Sequence, residues 1–454
     1  MRTAPLLALA LTAATALAGP LTPPVGPPAP TLKTLNEVQP STPINTLPGD
    51  FDARHVINQA GHYHLTGDLL VSGDVAAIRV DVSYVTIDLN GFRVRGFSDL
   101  DHAILGNGAY ITVRNGWILN TEEQAIRLPG AACSIEDLTI VNGNSLGQVA
   151  VDLGDSARVR DCTFRGGGSL MTGTGAVIER CALSFMRQSI DVGDASVIRE
   201  VSIEANGGNS DSPIVSLGNG CLVDGLRVTN AEYTGIIGGD ACTIVNSSFS
   251  NPTTATLAPQ RTVISLGNAA IVSRTTVSNW GVDGISIGSG RVHGCVVQIV
   301  TGTAIQTTGS AIIDSCTIDI AGQGIIAGVE SLVENNAVAN VGGTGIDLSF
   351  NSVARGNRLR DCTIGIRGSE DTLIVGNHLD NDPITLTSSD NVVDANVITD
   401  VTTNAIIAET SGNLIIRNRL GSTSTSAISA PAGNRVGNFS TTPASAGPFD
   451  NLGF

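Results

Sequence analysis

Residues 344–357 read TGIDLSFNSVARGN, and this stretch is one copy of a unit that recurs along most of the chain. A fixed period of about 21 residues predicts a solenoid, in which each unit packs on the next. The isoleucine of the unit, Ile346, has counterparts 18 to 22 residues apart at Ile285, Ile305, Ile325, Ile366, Ile384, Ile406 and Ile428. Asn357 has counterparts at Asn336, Asn377, Asn396, Asn418 and Asn438.

The anchor position of Ile346 continues upstream with a looser spacing of 19 to 28 residues. Each unit contains about three short apolar clusters rich in β-branched residues, which favour strands. We therefore expect an all-β, single-stranded, right-handed parallel β-helix over residues 78–439, with about 17 coils of about 22 residues and three short parallel sheets. A leucine-rich horseshoe would need helical segments and more leucines. The upstream anchors are Ile78, Ile104, Ile126, Val151, Leu170, Ile190, Val215, Ile236 and Ile264.

Side-chain alternation assigns a direction to each position of the anchor strand. The anchor and the residue two positions later should point inward, and the residue between them should point outward. Equivalent residues should stack at about 4.8 Å, the spacing of paired strands. An inward asparagine at a tight bend can bond its own backbone and its neighbours, so we interpret the asparagine column as structural.

Two segments near the N-terminus, YHLTGDL at 63–69 and VTIDLNGF at 85–92, resemble the opening of many secreted bacterial β-helix proteins. With the period and the asparagine column, they make residues 45–440 similar to the pectate-lyase-like right-handed β-helix superfamily. The resemblance implies that the anchor strands form the first sheet and that the loops preceding them flank a binding face. It also implies a polysaccharide or a cell-surface glycan as the partner.

The outward column of the first sheet is most charged in its N-terminal half, at Arg127, Asp152 and Asp191. Two carboxylates on nearby coils could perform inverting hydrolysis of a glycan. Elimination from a uronate would need a base, which the resemblance implies is Arg127, and a cation such as Ca²⁺. The long polar loops expected to border this groove are Thr121–Glu123, Asn142–Gln148, Asn206–Ser212 and Ser250–Arg261.

Several observations argue against catalysis. The polygalacturonase-type motifs Asn-Thr-Asp, Asp-Asp, Gly-His-Gly and Arg-Ile-Lys are absent, and Lys33 is the only lysine. Trp117 and Trp280 are the only tryptophans, so no row of aromatic platforms is expected. An Arg127–Asp152 pair on adjacent strands is more simply a cross-strand charge pair. The leading hypothesis is a non-catalytic surface, matrix or glycan-binding protein without a cofactor, and the alternative is a polysaccharide lyase or glycoside hydrolase.

The ends of the chain and its charge bear on location. Residues 1–18 are typical of a secretory signal peptide, so we expect a secreted or periplasmic protein without a membrane span. Residues 19–46 are predicted as a proline-rich linker, 47–77 as an N-terminal cap and 440–454 as a flexible tail. The formal net charge of −16 makes nucleic acid an unsuitable partner.

The cysteines and histidines invite a metal or disulfide interpretation. Cys162, Cys181, Cys295 and Cys316 share the repeat position of Asn336, and Cys133, Cys221 and Cys242 share an earlier position. In-register strands hold such residues farther apart than a relaxed disulfide prefers, so buried thiols are expected. Bridges between adjacent coils are the alternative. His55, His62, His64 and His102 form a local group, in which His62 and His64 share one strand face. We interpret this as a solvated cap strand, and a Zn²⁺ or Cu²⁺ site is the alternative.

Overall fold

The repeats fold into three stacks of parallel strands, which wind as one solenoid of about 17 turns with about 21 residues per turn. Neighbouring coils pair in register along all three stacks, for example Ile126 with Val151 and Val353 with Leu373. The β-branched and leucine residues on the inner faces form one continuous core. This computed structural model describes residues 41–73, 75–96, 100–121, 124–141, 149–166, 168–184, 189–204, 212–230, 234–251, 262–422, 427–442 and 446–453.

The first sheet contains the anchor strands, and its register confirms the predicted column. Ile126 lies between Ile104 and Val151, and the column continues to Ile428. The anchors from Ile78 to Ile406 are fully buried. The separate strands of this sheet are Ala53–Ile57, Ala76–Val80, Ile104–Gly106, Ile126–Leu128, Val149–Leu153, Ser169–Thr172, Ile190–Val192, Val215–Leu217, Ile236–Gly238, Ile264–Leu266, Ile285–Ile287, Ile384–Leu386, Ile406–Ala408 and Ile428–Ser429.

The second sheet follows the first after a short turn. Its central residues, such as Val159 and Ile178, are buried, while their neighbours point outward. The separate strands of this sheet are Thr42–Pro43, Gly61–His64, Val85–Asp88, Arg158–Arg160, Val177–Glu179, Val197–Arg199, Leu222–Asp224, Thr243–Val245, Ala270–Ser273, Gly290–His293, Ala311–Asp314, Leu332–Glu334, Val353–Arg355, Leu373–Val375, Val392–Asp394, Leu414–Ile416 and Arg435–Val436.

The third sheet follows the second after a bend at one left-handed residue, such as Asp161 or Asn335. Its separate strands are Leu69–Val71, Arg93–Gly96, Thr163–Arg165, Ala182–Ser184, Ser202–Glu204, Arg227–Thr229, Ser248–Ser250, Thr276–Trp280, His378–Asp380, Val397–Val401, Arg419–Ser422, Phe439–Ser440 and Asn451–Gly453. Six longer strands bend from one sheet into the next, namely Ile111–Leu119, Ser134–Val141, Val296–Thr307, Thr317–Ala327, Ala337–Leu348 and Arg358–Gly368.

The predicted asparagine ladder stands at the bend between the second and third sheets. The Oδ1 atom of Asn377 accepts hydrogen bonds from the backbone N–H and the Nδ2 of Asn357, at 2.9 and 3.0 Å. The same contacts link Asn336 to Asn357 and Asn396 to Asn418. The prediction was wrong at one end, because Asn451 rather than Asn438 bonds Asn418.

A second ladder, which the sequence analysis did not identify, lies at the turn between the first and second sheets. The backbone N–H of Asn391 donates to Oδ1 of Asn413 at 3.0 Å, and Asn413 donates in the same way to Asn434. Thr372 bonds Asn391 at the N-terminal end of this row. The two ladders satisfy buried backbone donors that the strands leave unpaired at the bends.

Paired strands lie at both ends of the solenoid. Residues 47–77 form a coil in register with the next one, because Val56 pairs with Arg79 and Tyr63 with Ile87. The 3₁₀ turn Ile44–Thr46 buries Ile44 completely at this end. At the other end, Asn451–Gly453 pairs with Arg419–Ser422, so the region predicted as a flexible tail contributes a strand. Residues 1–18 and most of the predicted linker lie outside the described residues.

All eight cysteines are buried free thiols, which confirms the interpretation made from their spacing. The thiol of Cys242 donates to the carbonyl oxygen of Gly218 at 3.1 Å, and Cys221 donates to Gly193 at 3.3 Å. Burial raises the pKa of the Cys133 thiol. The cysteines thus act as small core residues that also bond the neighbouring coil.

Two isoleucines are held in a backbone conformation that β-branched residues avoid. Ile299 and Ile320 have φ angles of 55° and 58° and are 45% and 49% exposed. A left-handed non-glycine residue costs about 1–2 kcal/mol, and asparagine tolerates this region better. We expect Ile299→Asn and Ile320→Asn each to raise the free energy of unfolding by about 1 kcal/mol. Urea unfolding measures this as a higher midpoint concentration, while the dependence of the free energy on urea concentration stays the same.

Asn279 provides the matched control for this prediction. It has a φ of 55° at the equivalent turn. Asn279→Ile should lower stability by a similar amount, because it introduces the same conformational cost. An unchanged midpoint in both Asn variants would show that the left-handed backbone carries no strain at these positions.

Candidate functional site

The residues predicted from the sequence share one outward column on the first sheet. Arg127 lies in register with Asp152, and its Nε is 3.9 Å from the Asp152 Oδ2. Asp152 pairs with Met171, which pairs with Asp191, so the two carboxylates are two strand spacings apart, about 10 Å. The column is therefore as expected, and the catalytic roles of these residues stay predictions.

The loops predicted to border that column fall almost entirely outside the described residues. These include 122–123, 142–148, 205–211 and 252–261. A second charged pair farther along the column is well described. Arg367 Nη1 lies 3.1 Å from Asp347 Oδ2, and Arg367 Nη2 donates to the Thr344 hydroxyl. Burial raises the pKa of Asp347, while the charge of Arg367 acts in the opposite direction.

A concave pocket lies instead on the outer face of the third sheet, and we call it the third-sheet groove. It has a volume of about 330 Å³. Its floor is formed by the short side chains Ala182, Ser184 and Ser202, while larger side chains stand on the coils before and after them. The groove is lined by Thr163, Arg165, Ala182, Leu183, Ser184, Ser202, Ile203, Glu204, Arg227 and Thr229.

Strand register explains the shape of the groove. Arg165, Ser184, Glu204 and Thr229 form one outward column, with one residue on each of four successive coils. A short residue between two long ones leaves a depression, because equivalent side chains stack at about 4.8 Å. Beneath the floor, the side chain of Leu183 packs in the core. The groove is therefore held by a rigid sheet.

The charged side chains of the groove make few polar contacts with the described residues. Within the described residues, neither Arg165 nor Arg227 forms an ion pair or a side-chain hydrogen bond. Glu204 Oε1 accepts a hydrogen bond from Asn230 Nδ2 at 3.3 Å. Arginine presents five fixed donors, a carboxylate accepts, and a hydroxyl does both. The groove thus offers all three kinds of group to a ligand.

The second sheet shows the opposite behaviour. Its outward column alternates in sign over seven coils, and the first four members of the column form two ion pairs. Arg114 Nε lies 3.0 Å from Asp88 Oδ2, and Arg160 Nη2 lies 3.0 Å from Glu136 Oε2. The column runs Asp88, Arg114, Glu136, Arg160, Glu179, Arg199 and Asp224.

A histidine–carboxylate cluster lies farther along the same face. His293 Nδ1 is 2.6 Å from Asp314 Oδ2, and Arg291 donates two hydrogen bonds to Asp314 at 2.9 and 3.0 Å. Burial favours the neutral form of Asp314, but hydrogen bonds from Arg291 and His293 hold its pKa below the usual value of 3.8. In the described part of the chain, no group of three or more His, Cys, Asp or Glu could hold a metal ion.

The sequence analysis missed the third-sheet groove because it followed only the first-sheet column. A signal was nevertheless available. Each cysteine or asparagine of the bend is followed by an outward, an inward and an outward residue, as in Thr163-Phe164-Arg165 after Cys162. Two successive repeats with short outward residues, at Ala182 and Ser202, would have marked the depression.

Comparison with known proteins supports the fold. The family model described as "Right handed beta helix region" matches residues 301–435. A sequence comparison with curated proteins gives no match. In the described residues, no helix is long and apolar enough to span a membrane.

Several solved structures match this chain at low identity and with TM-scores of 0.33 or less. The A-module of the Azotobacter vinelandii mannuronan C-5 epimerase AlgE6 is 11% identical, with a TM-score of 0.33 over 75% of this chain and 88% of that one. The Dettilon tailspike protein is 12% identical, with a TM-score of 0.28 over 76% and 62%. The catalytic unit of a GH87 α-1,3-glucanase from Streptomyces thermodiastaticus is 12% identical, with a TM-score of 0.22 over 84% and 64%. Together with the parallel register of the described coils, the family match over residues 301–435 shows that this chain has a right-handed parallel β-helix fold.

Proposed function

We propose that this protein is a non-catalytic glycan-binding module and that the third-sheet groove holds the sugar. The observation that carries the proposal is the groove itself. It combines a volume of about 330 Å³ with hydroxyl groups, a carboxylate and two guanidinium groups that form no ion pair with the described residues. A concave site in which a few polar groups converge is the default hypothesis for a ligand site.

The chemistry of the lining suits sugar hydroxyl groups. The hydroxyls of Ser184, Ser202 and Thr229 can each donate and accept, while Glu204 only accepts and Arg227 only donates. Adjacent hydroxyls of a pyranose need such a mixture within a short distance. Equivalent side chains on successive coils also repeat at about 4.8 Å, which is close to the length of one sugar unit in an extended polysaccharide.

The rigidity of the solenoid favours binding without rearrangement. All four strands in the groove are three residues long, and each is paired on both sides. A preformed site loses less conformational entropy when a ligand binds. We further propose that the protein is exported, on the basis of the signal-like residues 1–18, and that its partner is an extracellular or cell-surface polysaccharide.

Filling the floor of the groove tests this proposal. Ala182→Trp should reduce the association constant for a bound glycan at least tenfold, because the indole would occupy the space between Arg165 and Arg227. The measurement is affinity electrophoresis against a panel of neutral and acidic polysaccharides. Ala337→Trp is the matched control, because Ala337 is also exposed and continues the same outward column of the third sheet.

The outcomes separate binding from catalysis. Equal binding by the Ala182→Trp and Ala337→Trp variants would contradict the groove as the site. The alternative function, a lyase or hydrolase acting on the first sheet, is favoured by one observation, which is that Arg127, Asp152 and Asp191 share a column. Release of reducing or unsaturated ends that Asp152→Ala or Asp191→Ala abolishes would support that alternative. A lyase would also respond to added Ca²⁺.

A further inference from the structure

The outer face of the third sheet is positive on a protein that is otherwise strongly acidic. The chain has a formal net charge of −16. Yet the outward positions from strand Arg93–Gly96 to strand Arg227–Thr229 hold four arginines and one glutamate. None of the four arginines forms an ion pair with another described residue. They are Arg93, Arg95, Arg165 and Arg227.

An aromatic side chain lies on the same face. Trp117 belongs to the outward column that continues through Thr139, Thr163 and Ala182 to the groove. Its side chain is 45% exposed, whereas Trp280 is buried. An indole ring presents a flat apolar surface, and dispersion with the C–H face of a pyranose favours stacking on it. Trp117 is two strand spacings, or about 10 Å, from Thr163.

We propose that the ligand of the third-sheet groove is a linear anionic glycan lying along the solenoid axis. This inference rests on the proposed glycan-binding function and names the ligand class. One sugar ring stacks on Trp117, and carboxylate or sulfate groups farther along the chain bond Arg165 and Arg227. The strands from Trp117 to Arg227 cover five spacings, about 24 Å, so the site accommodates several sugar units.

Electrostatics make this ligand class specific. Overall negative charge repels a polyanion at distances beyond the local site. At physiological ionic strength, charges interact over about 8 Å, so the arginines of this face dominate once the ligand is close. Guanidinium groups bind carboxylate and sulfate through paired, charge-assisted hydrogen bonds. A polyanion should therefore bind at this face and not over the rest of the surface.

The test uses matched pairs of charged and neutral polysaccharides with the full chain. The probes are polygalacturonate with its carboxyl-reduced counterpart, and dextran sulfate with dextran. Isothermal titration should give an association constant at least tenfold higher for the charged member of at least one pair. Preference within the first pair assigns a carboxylate ligand, and preference within the second assigns a sulfate ester. The preference for the charged member of the pair should decrease as the salt concentration is raised.

Variants localise the effect. Arg165→Gln and Arg227→Gln should each reduce binding of the charged probe several-fold more than binding of the neutral probe, because only the charged probe loses a charge-assisted hydrogen bond. Arg199→Gln is the matched control, because it removes one exposed arginine from the second sheet. Trp117→Ala should weaken the binding of both the charged and the neutral probe, since the stacking of a sugar ring on the indole does not depend on charge.

The possible failures are distinguishable. If charged and neutral probes bind equally well and the arginine variants behave like the unsubstituted protein, the anionic ligand class is overturned while glycan binding stands. If no probe binds, both the ligand class and the proposed function are overturned. Binding of a charged probe that Arg199→Gln weakens as much as Arg165→Gln would also contradict the assignment to this face.

Discussion

Replacing Asn377 by alanine should lower the free energy of unfolding by about 3–5 kcal/mol, because the side chain makes hydrogen bonds on both sides. Its Oδ1 accepts from the N–H and Nδ2 of Asn357, and its Nδ2 donates to the Ala354 carbonyl and to Asn396 Oδ1. Alanine leaves the Asn357 N–H and the Ala354 carbonyl buried without these partners. Each such group costs about 1–3 kcal/mol.

Denaturant unfolding followed by circular dichroism measures this loss. Asn268→Ala is the control, because Asn268 is exposed and makes no side-chain hydrogen bond with described residues. Asn377→Cys should fall between the two, since Cys295 and Cys316 occupy the same column and bond backbone carbonyls. A loss below about 1 kcal/mol in Asn377→Ala would mean that the ladder fills space without stabilising the bend.

The effect of this substitution should be local. Each coil contacts only its neighbours, so the stability of a solenoid is a sum of coil and interface terms. Amide hydrogen exchange should therefore accelerate in the strands Val353–Arg355 and Val392–Asp394, which pair on either side with the strand Leu373–Val375 that precedes Asn377. The strand Ile104–Gly106, at the other end of the chain, should exchange as before.

The anchor column could be predicted from the sequence because one signal is repeated many times. A buried β-branched residue every 21 or so positions fixes both the strand and its register, as Ile126 and Val151 show. The prediction that Asn438 belongs to the ladder was wrong for a related reason. It lies one period after Asn418, but the last coil inserts the strand Phe439–Ser440, and Asn451 takes the ladder position 33 residues on.

The groove could not be predicted in the same way because its shape depends on side-chain length and not on periodicity. Ala182 and Ser202 are unremarkable residues at outward positions, and they form a floor only because Arg165 and Arg227 stand on neighbouring coils. The turns at left-handed residues could not be predicted from the sequence either. They accept Ile299 and Ile320 as well as asparagine, so no glycine pattern marks them. The repeat in the sequence therefore predicted the fold. Recognising the groove required knowing which side chains lie beside one another on neighbouring coils.

We expect the buried carboxylate of Asp382 to make the stability of the protein depend on pH near neutrality. Asp382 is 0% exposed. One of its oxygens accepts a hydrogen bond from the Cys362 N–H, and Oδ2 has no partner among the described residues. The nearest charged groups, Asp361 and Asp380, are also acidic, and burial keeps the Cys362 thiol neutral with a pKa of about 12. Burial chiefly, with these two carboxylates, raises the pKa of Asp382 from its usual 3.8 to about 7.

The sign of the effect follows from proton linkage. The folded protein keeps a proton on Asp382 that the unfolded chain releases above its usual pKa. The stability that this proton supports is complete below pH 3.8, falls as pH rises, and is lost once pH passes about 7. The slope is about 1.4 kcal/mol per pH unit. We expect the free energy of unfolding to decrease by about 2–3 kcal/mol between pH 5 and pH 8 through this residue.

Asp382→Asn isolates this contribution from other groups that titrate in the same range. Asparagine resembles the protonated carboxyl in shape and can still accept from the Cys362 N–H. The variant should therefore match the original protein at pH 5 and exceed it by about 2–3 kcal/mol at pH 8 in urea unfolding. Asp400→Asn makes the same chemical change at an exposed residue and should leave the pH profile unchanged. If Asp382→Asn and the original protein lose stability in parallel between pH 5 and pH 8, then Asp382 is already ionised in the fold and its burial must be compensated by a partner.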